Sequence, residues 1–256
     1  MKALILAGGY GTRIEEKTME IPKPMIRIGN DPILWHIMKI YSQYNVKDFV
    51  ILGGYKLNVI KDYFSNYLLY KNNHKINLKS MNVEYLSDNI DDWDVSIIDT
   101  GLDTMTGGRI KQVSEIIANE RFLLTYGDGL SNLNIKELIK SHEASKKIVT
   151  LTAIQPPGRY GSLELDSGNN VTSFSEKLRG DGAWMNGGFF VCEPEILKYI
   201  ASNNTSFEDQ PLSNIAKEGQ LNAFKHHGFW QNMDTMRDFK LLNNLWNIGE
   251  APWKIW

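Results

Sequence analysis

The sequence has 256 residues, of which 42% are hydrophobic and 23% charged, enough for a large core and short enough for one α/β domain. Its formal net charge of −2 excludes a general attraction to nucleic acid or anionic membranes, so any phosphate must be held by local groups. Cys192 is the single cysteine, no apolar run is long enough to span a bilayer, and the first residues lack the features of a signal peptide. We therefore expect a cytoplasmic protein.

The first half of the chain alternates short, β-prone apolar runs with amphipathic helical patterns. Strands are predicted at Lys2–Leu6, Asp48–Leu52, Val95–Ile98, Arg121–Thr125 and Ile148–Ile154. Helices are predicted at Pro32–Tyr44, Asn58–Tyr67, Arg109–Ala118 and Ile135–Ser145. This alternation is typical of parallel β-α-β units, so we expect an α/β fold with a doubly wound, mostly parallel sheet. The stretch Leu68–Asn82 has no clear pattern, and we expect a mobile loop or a short helical excursion there.

After Pro156-Pro157 the pattern changes to short strands separated by turn residues. Strands are predicted at Gly161–Leu165, Val171–Ser175 and Gly187–Val191, with a turn at Asp166–Asn170. They suggest a small antiparallel extension. Asp234–Trp246 carries apolar residues at about helical spacing, which predicts a closing helix. We expect one domain over residues 1–256, with a core (1–155), a second part (156–233) and a closing helix and tail (234–256).

A glycine-rich loop follows the first predicted strand. It reads A-G-G-Y-G-T-R from Ala7 to Arg13, and backbone N–H groups in such a loop can converge on an anion. Two better-known glycine motifs do not fit: G-x-G-x-x-G would need glycine where Ile14 stands, and the Gly-Lys-Ser/Thr of a P-loop is missing. A glycine pair alone would indicate only a tight turn. Because Arg13 and Lys23 follow closely, a triphosphate cradle is the better interpretation.

Two aspartates stand where a metal could bind. Asp128 follows the predicted strand Arg121–Thr125, and open α/β sheets bind ligands at the carboxyl ends of parallel strands. Asp234 directly precedes the predicted closing helix. Taken alone, Asp128 is more typical of a turn and Asp234 of a helix N-cap. A site that consumes a triphosphate, however, commonly holds Mg²⁺ through one or two carboxylates together with the phosphates.

Several motifs together resemble one known family. L-A-G-G-x-G-T-R at 6–13, I-P-K-P-M at 21–25 and I-G-x-x-P-I-L-W-H-I-M at 28–38 resemble the sugar nucleotidyltransferase superfamily. Matches along nearly the whole chain, among them M-T-G-G-R at 105–109, T-Y-G-D-G at 125–129 and G-F-W-Q-N-M-D-T at 228–235, resemble its glucose-1-phosphate cytidylyltransferase branch. The resemblance implies a Rossmann-like nucleotidyltransferase fold and a homo-oligomer. It also implies cytidylyl transfer from CTP to α-D-glucose 1-phosphate, giving CDP-glucose and pyrophosphate for deoxysugar and surface polysaccharide biosynthesis.

The resemblance also implies roles for individual residues. The catalytic residues would be Arg13, Lys23 and Asp128, and the ligands of Mg²⁺ would be Asp128 and Asp234. The nucleotide would contact Leu6, Ala7, Gly8, Gly9, Tyr10, Gly11, Thr12, Arg13, Lys23, Thr104, Arg109 and Gly127. The sugar phosphate would contact Glu176, Lys177, Asn186 and Gly187. The chain departs from the family at Leu178, where the family has proline, and this puts the identity of the sugar in question.

Other functions remain as alternatives. A nucleotidyltransferase of the same fold could use another nucleoside triphosphate or another phosphorylated acceptor. A non-catalytic regulatory homologue would bind nucleotide sugars, but it would not need both cations, Arg13 and Lys23, and both carboxylates. The glycine spacing disfavours an NAD-dependent oxidoreductase. The tryptophans could suggest a lectin, but several stand at helix or strand positions where core packing is the default. His226 and His227 are expected to be surface or structural residues, since an ionised phosphate needs no general base to attack.

Overall fold

The computed structural model describes residues 1–14, 21–87, 90–156, 162–175 and 183–256. In this part of the chain the strands are β1 (Lys2–Ala7), β2 (Arg27–Ile28), β3 (Asp31–Pro32), β4 (Asp48–Gly53), β5 (His74–Asn77), β6 (Asn82–Tyr85), β7 (Asp94–Asp99), β8 (Phe122–Tyr126), β9 (Gly129–Ser131), β10 (Val149–Ile154), β11 (Ser162–Leu165), β12 (Val171–Ser175), β13 (Met185–Cys192), β14 (Leu221–His226) and β15 (Trp230–Asn232). The α-helices are α1 (Ile33–Ser42), α2 (Leu57–Ser65), α3 (Tyr67–Lys71), α4 (Thr106–Gln112), α5 (Ser114–Ile117), α6 (Ile135–Ser145), α7 (Gln210–Lys217) and α8 (Met236–Asn247).

A central sheet has the strand order β14-β10-β13-β8-β1-β4-β7. Its pairings are parallel except for those of β13, which runs antiparallel to both β10 and β8. The predicted α/β class with a mostly parallel sheet is therefore confirmed. After β1 the chain adds β4 and then β7 on one side of it, and β8 on the other side. Strand β1 therefore marks the point at which the order of the strands reverses. Ligands of open α/β folds bind at such a switch point, beyond the carboxyl ends of the strands.

The strand predicted at Gly187–Val191 lies in the central sheet and not in the antiparallel extension. Residues 187–192 of β13 are all buried, so this strand is covered on both faces like its neighbours. The hairpin of β11 and β12 forms the small antiparallel extension, with Ser162 opposite Ser175. The expected turn between these strands is present, with Asn169 N donating to Asp166 O at 3.1 Å.

The core lies on both faces of the sheet. Alternate residues of β1 contribute to two separate apolar clusters, with Ala3 and Ile5 on one face and Leu4 and Leu6 on the other. Two-sided burial explains why β1 is a continuous apolar run, as is typical of parallel strands. Among the described residues, no helix is both long and apolar enough to cross a membrane.

An aromatic cluster packs the C-terminal tryptophans against helix α1. His36 of α1 is fully buried, with Nε2 3.0 Å from the Ile28 carbonyl and Nδ1 accepting from Trp253 Nε1 at 3.4 Å. The rings of Trp246 and Trp256 lie against it. Burial lowers the pKa of His36 to about 4, so the ring stays neutral near pH 7. The cluster supports β2, which follows the segment that carries Lys23.

The stretch Leu68–Asn82 differs from the expectation of a mobile loop or a short helical excursion. Its start is helical, since α3 ends at Lys71, but its larger part forms a β-hairpin in which β5 pairs with β6. Every residue of both strands is exposed. Polar and apolar residues do alternate over K-I-N-L at 75–78 and N-V-E-Y at 82–85, but each run has only four residues, the shortest length at which this pattern indicates a strand.

Candidate active site

A cavity of about 800 Å³ opens at the carboxyl ends of β1 and β8. The two strand ends are joined there, because Gly127 N donates to the Leu6 carbonyl at 2.9 Å. The cavity has the size of a small-molecule site and lies at the topological switch point. Residues expected to contact substrate or metal line it, namely Leu6, Ala7, Gly8, Gly9, Tyr10, Gly11, Thr12, Lys23, Thr104, Arg109, Gly127, Asp128, Asn186, Gly187 and Asp234.

The charged centre of the cavity consists of Lys23, Asp128 and Asp234. Lys23 Nζ donates to Oδ2 of Asp128 at 2.6 Å and also to Oδ1 of Asp234. The exposed fractions of the three side chains are 12%, 28% and 18%, so all three are largely shielded but still reach the cavity. Burial alone lowers the pKa of Lys23, but the two carboxylates outweigh burial and raise it above the ordinary value. The ammonium group is therefore a permanent cation.

The fold brings the two aspartates together through a short strand pair. Strand β9, which follows Asp128, pairs with β15, which precedes Asp234, and Met233 N donates to the Asp128 carbonyl at 2.9 Å. Helix α8 is capped by Thr235, whose hydroxyl accepts from Asp238 N. Thr235, and not Asp234, is therefore the N-cap of α8. Both carboxylates face the cavity instead of serving as local caps or turns.

The carboxylate pair fits a hard divalent cation. One ammonium group contacts both carboxylates, so the two side chains converge on one point. The pair has no third protein ligand, since the described ranges contain no group of three or more His, Cys, Asp or Glu side chains that could hold a metal. Mg²⁺ is commonly bound through one or two carboxylates, with phosphate oxygens and water as the remaining ligands. The donor set therefore suits a cation that arrives with phosphates.

Arg109 of α4 braces the end of the cavity that the glycine loop forms. Its Nη1 donates to the Gly53 carbonyl, the Thr100 hydroxyl and the Gly101 carbonyl at 2.6–2.9 Å, and its Nη2 donates to the Gly8 carbonyl at 3.2 Å. Gly8 must be glycine, since a Cβ there would lie 2.2 Å from Nη1 of Arg109. The side chain lines the cavity, but its main bonds go to backbone groups of the loops around it. Arg109 thus fixes the shape of this end.

The other end of the cavity carries Asn186 and Gly187. The Asn186 side chain accepts from Gly188 N at 2.9 Å and donates to the Tyr126 hydroxyl at 3.3 Å, so the orientation of its amide is fixed. Trp230 Nε1 donates to the Gly187 carbonyl at 2.7 Å. Gly188 has a φ of +73°, and a Cβ there would lie 2.9 Å from the Tyr126 ring. The absence of a side chain at Gly188 therefore leaves room for the Tyr126 ring to pack against β13.

Some expected site residues lie outside the described part of the chain. These are Glu176, Lys177 and the side chain of Arg13, whose backbone belongs to the short 3-10 helix Thr12–Ile14. Glu208 lines the cavity without having been expected there. No sequence motif marks it. His226 is structural, as expected, with Nε2 3.1 Å from both the Ser131 hydroxyl and the Phe229 carbonyl.

The sequence is similar to a family of known proteins. The family model described as nucleotidyl transferase matches residues 2–244. The chain is 50% identical over 257 residues to the glucose-1-phosphate cytidylyltransferase of Salmonella typhi, covering 100% of both chains. It is 45% identical, again over 100% of both, to the probable glucose-1-phosphate cytidylyltransferase of Bacillus subtilis (strain 168).

A solved structure shares the fold. HddC from Yersinia pseudotuberculosis superimposes with a TM-score of 0.71 at 24% identity, over 96% of this chain and 99% of that one. Three findings lead to the same conclusion: the match to the family model over residues 2–244, the full-length relatives at 45–50% identity, and the placement of the motif residues around one cavity. This chain belongs to the nucleotidyl transferase family.

Proposed function

We propose that this protein is a glucose-1-phosphate cytidylyltransferase, which forms CDP-glucose and pyrophosphate from CTP and α-D-glucose 1-phosphate. The observation that carries the proposal is the cluster of Lys23, Asp128 and Asp234 at the switch point, in a chain 50% identical over its full length to an enzyme of that name. The product would serve deoxysugar and surface polysaccharide biosynthesis.

The reaction is an in-line displacement at phosphorus. A phosphate oxygen of glucose 1-phosphate attacks the α-phosphorus of CTP, a new P–O bond forms, and the bond between the α-phosphorus and the bridging oxygen breaks. The electron pair leaves with pyrophosphate. Because the attacking phosphate is already ionised, the step needs no proton transfer and no covalent enzyme intermediate. The protein accelerates it by positioning both substrates and by compensating negative charge.

The described residues support a division of roles. The glycine loop from Gly8 to Gly11 would hold the triphosphate through its backbone, while Lys23 offsets the charge that develops on the leaving pyrophosphate. Arg109 would keep the loop in its binding shape, and Thr104 would contact the nucleotide. Arg13 joins Lys23 as a second phosphate-binding cation, by resemblance to the family.

At the sugar end, Asn186 would hydrogen-bond a sugar hydroxyl through its amide, which donates and accepts, and Gly187 would approach the sugar closely. Glu176 and Lys177 complete this end by resemblance to the family, with the acid for a sugar hydroxyl and the lysine for the phosphate.

Asp128 and Asp234 are proposed to hold Mg²⁺. Nucleotidyl transferases generally use a divalent metal, and the converging carboxylates match the oxygen ligands of Mg²⁺. When bound, the ion would supply positive charge to the nucleotide phosphates. Lys23 contacts the same two carboxylates and would stay close enough to share this charge compensation.

Pyrophosphate release over a substrate matrix tests the proposal. CTP, UTP, dTTP, ATP and GTP are each combined with glucose 1-phosphate and with other sugar 1-phosphates, with Mg²⁺ present and the Asp128→Asn variant as the blank. We expect release with CTP and glucose 1-phosphate. Release with CTP and only a different acceptor would keep the reaction and change the sugar, which would implicate the surroundings of Leu178. Nucleotide binding without release in any combination would favour the regulatory homologue.

We further propose that the protein is a homo-oligomer that uses the hairpin of β5 and β6. The hairpin exposes several large apolar side chains around its turn, and an isolated two-stranded hairpin is marginally stable in water. Leu78 and Met81 are 82% and 73% exposed. A second copy of the chain that covers these side chains would supply the missing burial.

The mass in solution tests this arrangement. We expect a multiple of the 29.3 kDa chain mass by light scattering, and a lower mass for Leu78→Lys. Ile248→Lys is the matched control, because Ile248 is 56% exposed at the end of α8, outside the hairpin, and should leave the mass unchanged. A wild-type protein of 29.3 kDa would contradict the oligomer.

The proposed enzyme works as one nucleotidyltransferase domain. Residues 1–155 would bind the nucleotide, 156–233 the sugar phosphate, and 234–256 would close the body. Strands β13 and β14 support a continuous unit, since they come from the second part but pair within the central sheet. A cytoplasmic location stays a prediction.

A further inference from the structure

Glu208 lies in the cavity wall at the centre of a hydrogen-bond network. Its Oε1 accepts from the Tyr126 hydroxyl at 2.8 Å. Its Oε2 accepts from the Thr106 hydroxyl at 2.6 Å and from the Ser206 hydroxyl at 2.8 Å. A carboxylate has about four acceptor sites, so three donors fix its orientation almost completely. Charged acceptors of this kind make stronger hydrogen bonds than neutral ones.

Two of the three donors belong to different parts of the site, whereas Ser206 lies two residues before Glu208. Tyr126 ends β8, two residues before Asp128. Thr106 is the first residue of α4, which carries Arg109 and follows Thr104. Tyr126 and Thr106 are separated from Glu208 by 82 and 102 residues in sequence, so the carboxylate joins segments that the backbone does not connect locally.

The Tyr126 branch reaches the sugar end. Its hydroxyl donates to Glu208 and accepts from the amide of Asn186 at 3.3 Å. The hydroxyl directs its one proton to Glu208, so it can only accept from Asn186, and it accepts from the amide nitrogen. The amide oxygen of Asn186 accepts from Gly188 N at 2.9 Å, so both ends of the amide are assigned.

The Thr106 branch reaches the nucleotide end. The Thr106 hydroxyl also accepts from Phe207 N at 2.8 Å, while Met105 N donates to the Asn203 carbonyl at 2.8 Å. The start of α4 is therefore hydrogen-bonded to the segment that contains Glu208. A shift of this segment would move Thr104 and Arg109, which line the nucleotide end of the cavity.

We propose that Glu208 is a positioning residue that holds the nucleotide end and the sugar end of the cavity in one fixed relation. The inference rests on the proposed function, because it assigns the two ends to CTP and to the sugar 1-phosphate. Glu208 acts through Thr106 on one side and through Tyr126 and Asn186 on the other. Loss of one branch impairs one substrate, whereas loss of the carboxylate impairs both.

Steady-state kinetics of four variants test the proposal. Tyr126→Phe should raise the KM for the sugar 1-phosphate about tenfold and the KM for CTP less than about twofold, as expected for one lost charge-assisted hydrogen bond. Thr106→Val should do the reverse. Glu208→Gln should raise both values, one about tenfold and the other about threefold, because its single amide oxygen can accept from one branch only and the charge that strengthens both bonds is lost. Thr106→Ser keeps the hydroxyl and should restore the KM for CTP.

The matched control is a second tyrosine–glutamate pair. Tyr199 donates to Glu218 at 2.5 Å on the exposed surface, and neither residue lines the cavity. Tyr199→Phe and Glu218→Gln should leave both KM values unchanged. Should Glu208→Gln fail to fold, the opposite KM changes in Tyr126→Phe and Thr106→Val carry the test.

Binding distinguishes this inference from the proposed function. Calorimetry measures the Kd of CTP for wild type and Thr106→Val without any turnover. An inactive wild type that still binds CTP would refute the proposed function, while a Kd raised about tenfold in Thr106→Val would still support the nucleotide branch. Unchanged KM values in folded Glu208→Gln, with active wild type, would overturn the positioning role.

Discussion

Asp128→Asn is expected to lower kcat by about three orders of magnitude while the protein stays folded. The amide has nearly the shape of the carboxylate and can still accept from Lys23, now 2.6 Å away. It lacks the negative charge that would bind Mg²⁺ together with Asp234. Measurements of kcat, of the Mg²⁺ concentration that gives half-maximal rate, and of the thermal unfolding midpoint check the prediction.

Asp92→Asn is the matched control for this change. Asp92 also binds a lysine at 2.6 Å, but its side chain is 86% exposed and remote from the cavity. Its loss should leave the rate and the Mg²⁺ requirement unchanged, because exposed ion pairs contribute little. A kcat for Asp128→Asn within about tenfold of wild type, with an unaltered Mg²⁺ requirement, would contradict a metal-binding role for this carboxylate.

Lys23→Met is expected to lower kcat by about two to three orders of magnitude, the usual effect of removing one group that stabilises transition-state charge. It should also leave Asp128 and Asp234 facing each other without the ammonium group that now contacts both. Because a divalent cation can take over this compensation, Mg²⁺ should raise the unfolding midpoint of the variant more than that of wild type. Differential scanning calorimetry with and without Mg²⁺ measures the difference.

Lys140→Met is the control for the lysine. Lys140 pairs with Glu137 at 2.9 Å on the surface of α6, with 68% of its side chain exposed. Neither kcat nor the Mg²⁺-dependent stabilisation should change in this variant. If Lys23→Met kept the wild-type kcat, the proposed compensation of pyrophosphate charge would have to come from another group.

Much of the parallel core could be predicted from local pattern. The helix predicted at Ile135–Ser145 has these bounds in the structure, because Asn134 accepts from Glu137 N as an N-cap and the apolar residues recur at helical spacing. Strand β1 was predicted to within one residue, since it is a continuous apolar run that ends at a glycine loop. The position of a strand within the sheet could not be predicted in this way. The apolar run of β13 indicates a buried strand, but no local feature indicates that it pairs between β10 and β8.

The charged centre of the site was predictable, whereas its supporting contacts were not. Lys23, Asp128 and Asp234 occur in the motifs I-P-K-P-M, T-Y-G-D-G and G-F-W-Q-N-M-D-T, through which the sequence resembles the family. Glu208 has no motif, because its role arises from side chains that meet only after folding. Arg109 shows the same limit: the sequence indicates a nucleotide-binding cation, and the structure adds that its bonds hold the surrounding backbone.

The fate of the α-phosphorus tests the central claim most directly. Purified protein, Mg²⁺ and glucose 1-phosphate are incubated with CTP labelled on the α-phosphorus, and in parallel with CTP labelled on the γ-phosphorus. The proposed reaction puts the α label into CDP-glucose and the γ label into pyrophosphate, in equal amounts, and Asp128→Asn should slow the formation of both by about three orders of magnitude. An α label recovered in CMP would indicate hydrolysis, a γ label on the sugar would indicate a kinase, and either result would contradict cytidylyl transfer.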